Sequence, residues 1–444
     1  MKQLPLLTRR LDEPIALRDG EAVTAGRFIA QALSLAGAMP GAGAVVNLCQ
    51  DRHAFSVALA AALCAGRSTL LPANRLPATI DDLLRERPDS LVISDQPIEG
   101  LGHPQMDPSA ALAVSARADA VPQIPAELLA AEVFTSGSTG TAARVIKFWR
   151  TLHDSSLINA AEYGPGPVLT QLVATVPPQH MWGLETSVLL PWFAPVTITS
   201  DQPFFAADII QALSALARPR ALVSTPVHLR NLVEHPDALV EVDRIYSATA
   251  PLSARLAASL EDRCGARVTE VYGCSEAGCL AWREPVRETR WRLFQAFKLD
   301  QIGERFRVDA DHLPEAVILM DRLEVDADGR FRLTGRDSDL VNIAGKRASL
   351  SDLTQSLLDI DGVLDGVIFQ PPETGDGRVS RLAALVVAPR LSAADIRRAL
   401  SRRIDPAFMP RPLRLVPELP RAESGKLPRH SLVRLYERVC EPVG

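Results

Sequence analysis

A chain of 444 residues exceeds one ordinary hydrophobic core, and at about 150 residues per domain it divides into two or three units. Hydrophobic content of 47% is ample for burial, while a formal net charge of −5 argues against the basic footprint of a nucleic-acid binder. The six cysteines are scattered without a C-x-x-C pair, no basic segment followed by an apolar one opens the chain, and the apolar run from Phe55 stops at Gly66-Arg67. These features predict reduced thiols, no membrane span and a cytoplasmic protein.

In chain order, an amphipathic helix from Gly26 precedes a strand at Ala44–Leu48, a second helix rich in Ala and Leu, and a strand at Ser68–Pro72. Further apolar runs at Leu91–Ile93, Leu172–Val176, Ala221–Val223 and Arg244–Tyr246 alternate with helix-like segments, which predicts mainly parallel strands covered by helices. Pro104–Pro125, rich in Ala, Pro and Asp, predicts a surface crossing. Between strands at Ala130–Phe134 and Val145–Trp149 lies Thr135-Ser136-Gly137-Ser138-Thr139-Gly140, whose hydroxyls, glycines and consecutive N–H groups suit a phosphate cradle. A flexible Gly/Ser linker is the bland alternative, and the flanking strands argue against it. No lysine follows Gly140 in the manner of a P-loop NTPase. Beyond Leu333 the texture becomes compact and α+β, which predicts a boundary at Arg336–Ser338 and a mildly basic C-terminal unit.

Four motifs then stand in a fixed order: Thr135–Gly140 with Val145, Tyr272-Gly273-Cys274-Ser275-Glu276, Gly335-Arg336-Asp337-Ser338-Asp339, and Leu419-Pro420 with Gly425-Lys426 and Arg429. Together they resemble the adenylate-forming superfamily of acyl- and aryl-CoA ligases, adenylation domains and luciferases, over about residues 20–435. The resemblance implies an α/β fold: a large multi-sheet N-terminal domain of the adenylate-forming type, residues 1–335, and a small mobile α+β domain, residues 336–444, carrying the catalytic lysine. It implies ATP and Mg²⁺ as cofactors.

The same resemblance assigns roles by position. Thr135, Ser136, Gly137, Ser138, Thr139 and Gly140 would cradle phosphates, Tyr272 and Gly273 would border adenine with Ala250 and Pro251, and Asp321 and Arg336 would hold the ribose. Asp321 stands eight residues before Gly329 of an Asp-x-Asp-Gly turn, as the family places its aspartate, although Met320 replaces the usual preceding glycine. Ser275 would donate to the α-phosphate, Glu276 would hold the metal, and Lys426 would bridge carboxylate and phosphate. Pro177–Gly183 resembles the acyl-pocket motif, so His180, Trp182 and Gly183 would meet the acid together with Ala248, Thr249 and Gly278. Gly345 would line the thiol channel. The family's phosphate-loop lysine is missing after Gly140; Arg144 or Lys147 could supply that charge, and strand alternation decides which points inward.

The implied activity is activation of a small carboxylic acid, hydroxybenzoate-like in the resemblance to aryl-polyene and xanthomonadin-type pigment ligases. The acyl group would pass to holo acyl carrier protein, with Arg402, Arg403, Arg411, Arg414 and Arg421 as a docking rim. The alternatives are an aryl- or acyl-CoA ligase using coenzyme A, and a noncatalytic AMP-binding or carrier-protein scaffold. Neither nucleic acid nor membrane is an expected partner.

Overall fold

Short aliphatic runs become central strands here because helices cover both of their faces. A computed structural model of the chain describes residues 2–135, 143–236, 239–336, 339–343, 346–372, 381–422 and 425–440. Val45–Asn47 sits inside a six-stranded sheet, parallel to Thr69–Leu71 and Leu91–Ile93, and Leu129–Thr135 joins it parallel to Thr69–Leu71. Only the edge strand Ala143–Phe148 runs antiparallel, paired with Leu129–Thr135. Trp149 does not close that strand as the sequence suggests. It opens the helix Trp149–Glu162, because Phe148 ends the extended run and the Trp149 N–H is drawn to the carbonyl of Leu128 at 2.8 Å.

The second sheet has nine strands. Its parallel centre comprises Thr170–Ala174, Val196–Thr199, Arg220–Ser224, Arg244–Ser247 and Arg267–Cys274. Gly278–Arg283 and Arg292–Leu293 extend one edge antiparallel. The helix Arg52–Cys64 is buried almost all round and belongs to the same apolar core as Trp149–Glu162. Asp51 caps it, accepting from the Ala54 N–H at 2.7 Å. The Pro104–Pro125 crossing is not merely superficial: Ala111, Leu112 and Ile124 are buried, and Gln123–Pro125 pairs with Gln3–Pro5.

Buried side chains beyond residue 340 form two clusters of their own, around Leu357, Val386 and Leu400 and around Leu385, Leu419 and Leu432. The earlier clusters take no side chain from this stretch. Where the two parts meet, Arg255 pairs with Asp361 and donates to the Asp359 carbonyl at 3.1 Å, and Arg230 donates to the Leu364 carbonyl at 3.3 Å. Among the described residues, no helix is long and apolar enough to cross a membrane.

One buried charge ties helix to sheet where the Pro177–Gly183 segment begins. Arg52, fully buried, donates to the carbonyls of Ala174 and Val176 at 2.9 Å each and to the Ser187 hydroxyl. Burial lowers its pKa to about 9. Arg52→Ala leaves three buried acceptors without their donor and should cost about 3 kcal/mol, read as a lower urea midpoint at unchanged m-value.

Candidate active site

A tight hairpin joins Arg267–Cys274 to Gly278–Arg283. A Cβ on Gly273 would lie 2.3 Å from the Gly278 carbonyl oxygen, and Gly278 itself has φ +80°. Only glycine permits both, so the turn Ser275–Ala277 is closed tightly enough to project Ser275 and Glu276 from the strand ends. Glu276 is exposed at that tip.

Beside the hairpin, Tyr272 is held on three sides. Its hydroxyl donates to Asp321 Oδ2 at 2.8 Å, and its ring contacts Trp291 at 5.6 Å and Phe331 at 6.1 Å between centroids. The register of Asp321 opposite Arg336 brings the two predicted ribose residues onto neighbouring strands. The loop Ala248–Pro251 runs past this corner with Thr249 at φ 78°, a left-handed backbone strained for a β-branched residue. Its exit is fixed where the Leu252 N–H donates to Glu270 Oε1 at 2.7 Å, while Arg283 binds Glu270 Oε2 at 2.6 Å. Arg283 also lies 4.7 Å above the Trp291 ring, linking the loop to the aromatic wall behind Tyr272.

The segment Pro177–Gly183 folds back on itself. A Cβ on Gly183 would stand 2.0 Å from the Pro177 carbonyl oxygen, so this position admits only glycine. The short helix Met181–Gly183 continues into a π-helical stretch, Leu184–Leu189, a form that often marks functional sites. Trp182 is buried and donates its indole N–H to the Ser224 carbonyl at 3.2 Å. Burial, and next the Lys426 charge, lower the His180 pKa to about 4, so the imidazole is neutral at pH 7.

Strand alternation sends Arg144 outward and Lys147 inward. Arg144 binds the buried carboxylate of Glu132, which Arg87 also contacts at 3.1 Å. Lys147 is 2% exposed, and its Nζ donates to the Glu276 carbonyl at 2.7 Å. Its charge faces the buried Glu185, whose Oε2 accepts from the Cys279 N–H at 3.1 Å. Burial pulls the Lys147 pKa down and pushes that of Glu185 up, and their mutual attraction opposes both shifts.

Bonds among the described residues beside the C-terminal lysine fix the place of its turn. Ala422 and Lys426 close it with an N–H to carbonyl bond of 2.8 Å, and Gly425 adopts φ +77°. Arg421 clamps the turn, binding both oxygens of Asp365 at 2.7 Å and donating to the Gly425 carbonyl at 2.8 Å. This removes Arg421 from the expected docking rim: its guanidinium is committed to Asp365 and the Gly425 carbonyl. A Cβ on Gly425 would sit 3.1 Å from Thr225 Oγ1, so the turn presses on the large N-terminal part with Lys426 close enough to act on His180.

A family model described as "AMP-binding enzyme" matches residues 21–296. The chain belongs to that family. Among curated relatives, a 3,4-dihydroxybenzoate–[aryl-carrier protein] ligase of Bacillus anthracis is 20% identical, covering 67% of this chain and 72% of its own. A 4-coumarate–CoA ligase of Halorhodospira halophila is 29% identical, covering 66% and 73%. In fold, the chain is similar to an anthranilate CoA ligase solved with anthranoyl-AMP, with a TM-score of 0.81 at 14% identity and coverage of 97% and 98%. Similar too is ATP-bound MatB of Rhodopseudomonas palustris, with a TM-score of 0.79 at 19% identity and 97% of each chain covered. The protein is an ATP-dependent, adenylate-forming acid–thiol ligase.

In the ligase, Tyr272, Gly273, Ser275, Glu276, Gly278 and Asp321 gather at one corner, and the charge of Lys426 acts on His180. Ser136–Gly140 and Gly345 lie outside the described residues, as do the side chains of Thr135 and Arg336. Sequence reasoning missed Arg52, Glu185 and the Glu270–Arg283 pair as supports of the site. The available signal was a lone charge inside an apolar run, as with Glu185 between Leu184 and the Val188–Phe193 stretch.

With a folded pKa below the unfolded value, protonation of His180 favours the unfolded chain as pH falls from 6.5 toward about 4. Pyrophosphate exchange should accordingly show no acid break near pH 6.5 that His180→Gln abolishes. Such a break, present in the parent and lost in the variant, would mean that the imidazole charges in the working range.

Proposed function

We propose that the ligase activates a small aromatic, hydroxybenzoate-like acid as its adenylate and passes the acyl group to the phosphopantetheine thiol of an acyl carrier protein. The supporting observation is the approach of Lys426 to His180 while the hairpin carrying Ser275 and Glu276 stands with Tyr272 and Asp321. In the first half-reaction, a carboxylate oxygen of the acid attacks the α-phosphorus of ATP and pyrophosphate leaves. Lys426, a compact cation on a long stem, neutralises charge shared by carboxylate and phosphate. Neutral His180 and Trp182 border the acid, and Gly278 keeps the floor free of a side chain. In the second half-reaction the thiolate attacks the acyl carbonyl, AMP leaves, and Gly345 lines the thiol's approach. The division into residues 1–335 and 336–444 belongs to this reading, supported by cores that share no side chain.

Among the described residues, no three His, Cys, Asp or Glu side chains assemble into a metal-binding group. A single open carboxylate such as Glu276 nevertheless fits Mg²⁺, which keeps waters and takes most of its ligands from nucleotide phosphates. When bound, the ion would offset negative charge on the phosphate oxygens. A solved neighbour, an O-succinylbenzoate coenzyme A synthetase of Bacillus subtilis, was captured with ATP and magnesium ion.

The carrier-protein acceptor is supported by exposed Arg402, Arg403, Arg411 and Arg414, since carrier proteins are acidic. Coenzyme A is the second reading, supported by CoA ligases among the relatives. A cytoplasmic setting accords with six free thiols.

Lys426→Ala should lower pyrophosphate release about 10²- to 10³-fold with ATP binding nearly unchanged. A loss of only a few-fold would remove Lys426 from the chemistry. Offering a panel of hydroxybenzoates and aliphatic acids with coenzyme A and holo carrier protein in parallel should acylate the carrier. Charge reversal at Arg402 and Arg403 should slow that transfer while pyrophosphate release persists. Efficient, salt-insensitive acylation of free coenzyme A alone would establish the second reading.

A further inference from the structure

A lysine buried without reward in stability asks for another reason to be there. Lys147 lies on an edge strand between two buried apolar side chains, Val145 two residues before it on the same face and Trp149, which opens the following helix. A methionine of similar length would fill the same space without taking an ammonium out of water, and replacing buried ion pairs by apolar side chains is often neutral or stabilising. What the methionine lacks is the donor.

That donor is spent on one acceptor of consequence, the Glu276 carbonyl at 2.7 Å. The opposite side of the hairpin meets Glu185: a Cβ on Gly278 would lie 2.5 Å from its Oε1, and its Oε2 takes the Cys279 N–H and, at 3.2 Å, the Cys279 thiol. Both buried charges therefore grip the same turn, one through the backbone of Glu276 and the other through the backbone of Cys279. The π-helical stretch, the edge strand and the hairpin are joined at this point through the backbone of the turn, and the Lys147 charge also acts on the exposed Glu276 carboxylate.

We propose that Lys147 is a positioning residue for the metal-binding carboxylate. Its ammonium holds the backbone of Glu276, so that the carboxylate is presented toward the nucleotide in one orientation, with Glu185 balancing the buried charge. The inference rests on the reading of Glu276 as the magnesium ligand.

Lys147→Met tests it. The magnesium concentration for half-maximal pyrophosphate exchange should rise about tenfold, the worth of one charge-assisted hydrogen bond. Metal-free AMP binding, measured by calorimetry in EDTA, should stay within about twofold, because the proposed role does not extend to the adenine and ribose contacts. The rise in melting temperature given by ATP with magnesium over ATP alone should shrink. Lys147→Met/Glu185→Met removes both charges, so it keeps the test usable where the single variant fails to fold, and it should show the same raised magnesium requirement. An unchanged magnesium titration in a folded variant overturns the proposal, and so does an equal loss of metal-free AMP binding, which would signify general loosening. Glu276→Gln separates the two levels. If it leaves the magnesium titration unaltered, the assignment of Glu276 fails; if it shifts the titration while Lys147→Met does not, only the role of Lys147 fails.

Discussion

The site depends on the closeness of two glycines. Because Gly273 and Gly278 lack side chains, two strands of the nine-stranded sheet converge at their ends, and the residues between them have nowhere to go but out toward the cleft. Every neighbouring feature is arranged around that projection: Tyr272 is braced by Trp291, Phe331 and Asp321, and the buried pair beneath it fills the space that the turn leaves. A side chain at either glycine would disturb more than its own position, since Tyr272 and Glu276 on this hairpin are held by Asp321 and Lys147, and its second strand by Glu185.

Much of this was legible in the sequence, for physical reasons that differ by element. Strands such as Ala221–Val223 were visible because a strand covered on both faces must be continuously apolar. The two strands that flank the expected phosphate loop were visible as apolar runs, while Ser136–Gly140 lie outside the described residues. The end of the edge strand was misread at Trp149, because a large aromatic suits either a strand or a helix start and only the bond to Leu128 decides it. Arg421 was misread for a related reason: an arginine in a basic segment is normally solvated, and its partner Asp365 stands 56 residues away. Charges such as Arg52, Lys147 and Glu185 looked like interruptions of apolar runs. Their partners lie on other elements, so spacing along the chain carries no trace of them.

The local supports also explain why the missing phosphate-loop lysine is not simply replaced a few residues later. Arg144 is occupied by Glu132 and Lys147 by the hairpin, so the two candidate cations serve the framework around the loop. On the proposed mechanism, electrostatic work at the reacting centre falls instead to Lys426, delivered from the other end of the chain.

That delivery has a mechanical character. Three bonds from Arg421 and the bond from the Ala422 N–H to the Lys426 carbonyl tie the described residues on either side of the lysine turn to one another and to Asp365. The contacts holding the C-terminal part against the N-terminal one are of another kind: an exposed ion pair, Arg255 with Asp361, and single bonds to the carbonyls of Asp359 and Leu364, groups that water can serve almost as well. On the proposed two-domain reading, a seam of such solvated contacts costs little to open. On the proposed reaction cycle, passing from one half-reaction to the other would ask only that these few solvated contacts break while the Arg421–Asp365 pair stays closed.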